Sequence, residues 1–189
     1  MDAPSPSAPP PPPSAPMSGL VYADVPNRAI AYIIDVILVG IVGAIIFAIL
    51  SGLGLSVVTV GTTGTIEVNY AAAFIQGIIG LVISAAYFIY TWTSMRATVG
   101  MRVLGMQIGN AGDGKTLTTD QAVRRYLALA APSILAQVLS PLPAIGFIIG
   151  LLAFGWFIYL IYTTANSPTK QGWHDVFANT QVVKAAKSV

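Results

Sequence analysis

Two residues of opposite charge, Arg28 and Asp35, stand at the start of a long apolar run, residues 29–50, and Asp35 is the only charge within it. Seven positions apart on a helix, they share one face about 10 Å apart along the axis. An ionised carboxylate inside a bilayer costs at least about 2.5–3.5 kcal/mol on insertion scales. Asp35 is therefore expected to face the interior of a helical bundle and to find a partner there. Arg28 is the nearest basic residue, at a separation that needs two extended side chains or a bridging water. Arg124 and Arg125 are the alternatives. Two readings follow: a buried polar clamp that fixes helix order, or a proton or cation site tuned by burial and by the arginine.

A second string invites chemistry. Gly109-Asn110-Ala111-Gly112-Asp113-Gly114-Lys115-Thr116 matches the phosphate-loop pattern G-x-x-x-x-G-K-[ST] letter for letter. That loop works only when a helix starts at its Lys-Thr and aims its N-terminus at the phosphates. Here Leu117-Thr118-Thr119 intervenes, and the better helix start is Thr118, with Gln121 completing a capping box. A nucleotide fold also needs a parallel sheet and an acidic magnesium ligand, which a loop between two spans has no room for. The string is read as a Gly-Asp-Gly turn joining a short strand to a helix, and nucleotide binding is not expected.

Other chemistries are narrowed by composition. There is no cysteine, which excludes disulfides and thiolate chemistry, and one histidine, His174, which excludes a multi-His metal site within one chain. No metal or cofactor is expected, and so few catalytic groups argue against an enzyme. The net charge of +2 leaves no basic face for nucleic acid.

These residues must be positioned by membrane helices. The 189 residues are 55% hydrophobic and only 8% charged, with a mean hydropathy of +0.75, against about 25% charged in soluble domains. The apolar surface is expected to face a lipid bilayer. Four apolar stretches read as spans: residues 29–50, 71–92, 126–139 and 144–164. The third is short, holds Pro132 and Gln137, stops at Ser140-Pro141-Leu142-Pro143, and needs tilt or local thinning to cross.

The loop of residues 51–70 has no Lys or Arg, whereas residues 93–125 hold Arg96, Arg102, Lys115, Arg124 and Arg125, and the C-terminal tail holds Lys170, Lys184 and Lys187. The positive-inside rule and the even span count agree on cytoplasmic N- and C-termini. The expected fold is an all-α, four-helix transmembrane bundle in the cytoplasmic (inner) membrane. The outside loop is expected to form a short hairpin, residues 56–60 with 65–69.

Residues 1–20 open with eight prolines in the first sixteen positions, a composition that reads as a disordered, polyproline-II-rich tail. Residues 185–189 form a second short tail. Small residues at four-residue spacing, Gly40, Ala44 and Ala48, then Gly146 and Gly150, are read as intramolecular helix packing first and oligomer contact second.

Four stretches together resemble the RDD family of bacterial membrane proteins, named for an arginine and two aspartates. They are Val25-Pro26-Asn27-Arg28 through Asp35; Thr98-Val99-Gly100-Met101-Arg102-Val103-Leu104-Gly105-Met106-Gln107-Ile108; Gly114-Lys115-Thr116-Leu117-Thr118 with Gln121-Ala122-Val123-Arg124-Arg125; and Gln171-Gly172-Trp173-His174-Asp175, ending Thr180-Gln181-Val182-Val183. The resemblance spans about residues 22–184. It carries the first arginine to Arg28, the first aspartate to Asp35 and the second to Asp175. Met101 stands where the family usually has a basic residue, and Asn179 where glycine is common.

The resemblance implies a link of some members to sodium/proton exchange. On that reading Asp35 is the titrating site, and Asp175 and His174 relay protons from the cytosol, with Arg124 and Arg125 in support. Four short helices seldom enclose a pathway alone, so a homo-oligomer is expected. The bland reading of Asp175 is a cap or a salt bridge to Arg96, Arg102 or Arg124. The alternative function is a non-transporting adaptor that docks a cytosolic or membrane protein partner through residues 93–125 and the proline tail.

Overall fold

Two side-chain caps start the first long helices. Asp24 accepts from the backbone N–H of Asn27 at 3.0 Å, and Pro26 fills the first turn of α1 (Val25–Gly52), where its missing N–H costs nothing. Asn69 accepts from Ala72 N–H at 3.0 Å and opens α2 (Tyr70–Ser94). The computed structural model describes residues 20–139 and 142–185. The proline tail therefore lies outside the described residues apart from Leu20, as do Ser140, Pro141 and residues 186–189.

Leu20 belongs to strand β1 (Leu20–Tyr22). Between α1 and α2 the expected hairpin is present but shorter, pairing β2 (Val58–Val60) with β3 (Ile66–Val68) antiparallel. After α2 comes a single-turn helix, α3 (Val99–Val103), capped by the Thr98 hydroxyl, which accepts from Met101 N–H at 3.2 Å. Strand β4 (Met106–Asn110) follows.

The glycine string then makes a turn. Asn110 N–H donates to Lys115 O and Gly114 N–H to Asn110 O, each at 2.9 Å. Gly114 has φ +68, and a Cβ on Gly109 would stand 2.7 Å from Gly114 O. The glycines thus serve the turn, and Lys115 lies in solvent beside Asp113 at 3.2 Å. Helix α4 (Thr119–Leu139) begins beyond the string. Its entry is the expected capping box: Thr118 N–H donates to Gln121 Oε1 at 3.1 Å and Gln121 N–H to Thr118 Oγ1 at 3.2 Å.

Helix α5 (Pro143–Asn166), a short α6 (Trp173–Phe177) and β5 (Thr180–Ala185) complete the chain. A three-stranded antiparallel sheet, β1-β5-β4, pairs Tyr22 with Val183 and Asn110 with Thr180. The strand before α1, the one between α2 and α4 and the one after α5 therefore lie side by side. The hairpin lies at the far end of α1, whose 28 residues make it about 40 Å long.

Among the described residues, three helices are long and apolar enough to cross a membrane: α1, α2 and the Ala144–Asn166 stretch of α5. Ile33, Ile37, Ile41, Ile45 and Ile49 on α1, and Phe147, Leu151 and Phe154 on α5, are each more than half exposed. Such isoleucine and phenylalanine stripes suit hydrocarbon as solvent. The core sits towards the sheet end, where Phe88, Trp92, Met101, Met106, Ile108, Tyr126 and Val182 pack together.

The stripe Gly40, Ala44 and Ala48 does not serve packing inside the chain: all three are exposed, and a Cβ on Gly40 would meet nothing within 4 Å. Helix α1 buries Ala31, Asp35 and Gly43 instead. The carboxylate, which loses most by facing lipid, sets the inward face.

Candidate functional site

Asp35 is 2% exposed and accepts three hydrogen bonds. Tyr87 OH reaches Oδ1 at 2.6 Å from α2, Thr98 Oγ1 reaches Oδ2 at 2.5 Å, and Gly100 N–H reaches Oδ1 at 2.8 Å. The direction of each bond is fixed. Tyr87 OH itself accepts from Val99 N–H at 3.0 Å, and Thr98 Oγ1 from Met101 N–H, so both hydroxyl protons are free to point at Asp35. The carboxylate therefore fastens α1 to α2 and to the N-terminus of α3, where oriented backbone donors favour negative charge. Glycine is required at 100 because a Cβ there would stand 2.1 Å from Ala31 O.

The arginines meet the other aspartate. Arg28, in the first turn of α1, donates to Asp175 and to Lys170 O; Arg125 of α4 donates to Asp175 and, at 2.6 Å, to Thr180 Oγ1. Asp175 also accepts from Gly172 N–H at 2.9 Å and so caps α6. It is fully buried. Burial pushes its pKa up, but Arg125 and Arg28 outweigh this and hold it below the usual carboxylate range. His174 lies with Nε2 3.5 Å from Asp175. Its burial pushes its pKa down to about 3, which the attraction of Asp175 does not offset, so it is neutral at pH 7.

Arg28 and Arg125 thus serve Asp175, and neither is a bonded partner of Asp35. Arg28 lies on the first turn, level with α6, whereas Asp35 lies seven residues further along and meets α3. Arg124 belongs to neither group: it is exposed and pairs with Asp120 at 2.9 Å on the surface of α4. Asp175 is a cap, as one reading expected, but Arg96 donates to Gly114 O and Arg102 to Met95 O at 3.4 Å rather than to it. Asn179 adopts the left-handed conformation, φ 53, where glycine is otherwise favoured.

Sequence reasoning missed Tyr87, Thr98 and Gly100, because neutral donors carry no charge signal. The usable signals were a tyrosine hydroxyl well inside an apolar span and the helix-starting pattern Thr98-Val99-Gly100.

Asp35 and the two arginines that hold Asp175 line a partly open cavity of about 100 Å³ between α1, α2, α3, α4, α5 and α6, with Met106 of β4 and Val182 of β5 also on its wall. Arg28, Asp35, Trp92, Arg125 and His174 lie on its wall, with Tyr32, Phe88 and Phe157 among the apolar residues. Arg125 stands over the Trp92 ring, 5.1 Å from its centroid, a cation–π contact that is stronger when desolvated. Trp92 Nε1, Arg125 Nε and His174 Nδ1 are buried with no hydrogen-bond partner among the described residues.

Lipid-facing helices, a sheet that gathers three chain segments at one end, and a buried arginine–aspartate cluster beneath it define a polytopic membrane protein. The chain belongs to the RDD family, whose model matches residues 22–179. No curated protein and no solved structure matches the chain.

Proposed function

We propose that this RDD protein is a small ion- or proton-coupled transporter or exchanger subunit of the cytoplasmic membrane, with four crossing helices and both ends in the cytosol. The sheet supports the fourth crossing. Strand β4 precedes α4, β5 follows α5, and the two strands are paired. If α5 crosses the bilayer, β5 returns to β4 only when α4 crosses in the opposite sense. The 21 residues of α4 give about 30 Å, the thickness of the hydrocarbon layer. Its first turns carry Asp120, Arg124 and Arg125, so tilt or thinning completes the crossing. Arg96, Arg102, Lys115 and Lys170 lie in segments at the sheet end, while the hairpin segment has Glu67 and no Lys or Arg, which favours a cytosolic sheet.

The cavity carries the transport reading. Its wall brings Arg28, Asp35, Arg125 and His174 to one opening between the helices, and ionisable groups that line a space inside a membrane bundle mark substrate or ion pathways. A cavity walled by the helices of one chain, with the Gly40–Ala44–Ala48 stripe turned outward, fits a subunit that works as a homo-oligomer.

A second reading, the non-transporting adaptor, draws on the saturation of both aspartates, each of whose oxygens already accepts a hydrogen bond. Its docking groups would be the exposed Arg102, Lys115 and Arg124. Reconstitution in liposomes separates the two. The transporter moves protons or ions above the rate of protein-free liposomes, and Ala29→Leu, which fills the cavity from α1, abolishes the flux while thermal stability is kept. Flux indistinguishable from protein-free liposomes under every imposed ion gradient removes the transport reading. Loss of co-purifying partners when the three exposed basic residues are neutralised then supports the adaptor.

A further inference from the structure

Helix α6 is amphipathic with its faces reversed. Its polar residues, His174 and Asp175, are buried together with the following Ala178, whereas Trp173, Val176 and Phe177 are 39%, 63% and 51% exposed. The three exposed positions have the i, i+3, i+4 spacing of one helical face. A helix on a water-facing surface shows the opposite order, apolar inward and polar outward. In water α6 would be inside out.

The depth of α6 accounts for the reversal. It does not stand beyond the end of α5 but folds back along it. Trp173 N–H donates to Thr163 Oγ1 at 3.1 Å, and a Cβ on Gly172 would collide with Thr164 Oγ1. Both threonines belong to the stretch of α5 that is apolar enough to cross a membrane. The Trp173 ring meets the Trp156 ring edge to face at 5.2 Å, and Trp156 lies about 15 Å before the end of α5. Trp156 in turn packs on Tyr159 at 5.4 Å, and Trp173 stacks on Phe177 at 5.1 Å. Ring contacts therefore run unbroken from the exposed Tyr159 of α5 onto the outer face of α6.

The backbone suits the same setting. The start of a helix leaves N–H groups without intrahelical partners. Here those of Gly172 and Trp173 go to Asp175 Oδ2 at 2.9 Å and to Thr163 Oγ1. Where lipid replaces water, such donors must be satisfied within the protein.

We propose that α6 lies in the plane of the membrane, in the leaflet where α5 ends, with Trp173, Val176 and Phe177 inserted at the boundary between headgroups and acyl chains. Bilayer lipid covers the outer face of α6 as a continuation of the lipid around α5. Tryptophan is favoured at this boundary, and an apolar helix face sits about 5–10 Å into it. The Arg28–Asp175–Arg125 cluster then lies behind a helix that lipid holds in place. The proposal needs α5 to cross the bilayer, but it needs neither a fourth crossing nor transport.

The test attaches a nitroxide to Val176→Cys, the single thiol in an otherwise cysteine-free chain. The full chain is purified and reconstituted in vesicles of phosphatidylethanolamine and phosphatidylglycerol. Collisions with oxygen, which concentrates in lipid, are compared with collisions with a water-soluble nickel chelate. Leu151→Cys on α5 and Asp113→Cys in the β4–α4 turn, both exposed, give the lipid and water references. The oxygen-to-nickel ratio at 176 is expected to stand severalfold above that at 113 and to approach that at 151. Phe177→Cys, on the same face, is expected to give the same order and replaces Val176→Cys if that variant melts below the wild type. A ratio equal to that at 113 overturns the proposal. So does shielding from both reagents, which would mean that a second copy or another protein covers the face. A water-like ratio at 151 removes the crossing of α5 and the proposal together.

Discussion

Alanine at position 100 puts a methyl group into the backbone of α1. Its Cβ would lie 2.1 Å from Ala31 O, 2.8 Å from Ala31 C and 3.0 Å from Ala31 Cα, none of which belongs to a movable side chain. Restoring even a 3.4 Å contact from 2.1 Å requires α3 to retreat by 1.3 Å. That retreat stretches the bonds from Gly100 N–H and Thr98 Oγ1 to the buried Asp35. Overpacking costs about 1–3 kcal/mol, and each weakened hydrogen bond to a buried charge about 1.5–3 kcal/mol. A loss of at least about 3 kcal/mol is expected, or about 6–12 °C in Tm for a chain of this length. Circular dichroism melting of the detergent-solubilised protein measures it, with Gly150→Ala as control because a Cβ there meets nothing within 4 Å. If Gly100→Ala melts within about 2 °C of the control, the close docking of α3 on α1 is wrong.

Asp175→Asn leaves Arg28 and Arg125 without their shared carboxylate, and a loss of about 3–5 kcal/mol is expected; in Arg28→Ala the same Asp175 substitution costs clearly less, and strict additivity in that double-mutant cycle rules out the coupling. Acid stability follows from His174. Its folded pKa of about 3 lies below the unfolded 6.5, so the unfolded chain binds the extra proton between these values. Stability is complete above about pH 6.5 and falls with acidification by up to about 1.4 kcal/mol per pH unit. Asp175, held low by the arginines, adds a further loss below the ordinary carboxylate range. Melting curves from pH 7 to 4.5 should therefore flatten in His174→Gln, and an unchanged slope in that variant removes His174 as the cause.

The long helices were legible because lipid demands uninterrupted apolar runs. Residues 29–50, 71–92 and 144–164 fall inside α1, α2 and α5, each helix extending a little further at both ends. The capping box at Thr118 was equally readable from the Thr118–Gln121 spacing, which places the start of α4 beyond the glycine string. Among the short elements, the outer hairpin and a strand before the glycine turn were legible from turn residues, while α3, α6, β1 and β5 were not. Helices α3 and α6 run five residues each, too short to show a period, and the three-stranded sheet joins strands from both ends and the middle of the chain.

The partner assignments failed for a related reason. Proximity in sequence joined Arg28 to Asp35, but the partner of Arg28 lies 147 residues away. The burial of Asp35 followed from its cost in hydrocarbon; the identity of its neutral donors had no counterpart in the charge pattern. The exposed stripe of Gly40, Ala44 and Ala48 shows the converse limit. Small residues permit close approach without requiring it, and the aspartate decided the face.

Cysteine accessibility tests the membrane architecture most directly, because the chain has no native cysteine. Thr62→Cys, Asp113→Cys and Leu142→Cys report, in turn, the hairpin loop, the β4–α4 turn and the α4–α5 connection. In intact cells an impermeant maleimide should label positions 62 and 142, and it should reach 113 only after permeabilisation. Labelling of 142 from the cytosolic side alone would mean that α4 does not cross, and the four-span account would fall.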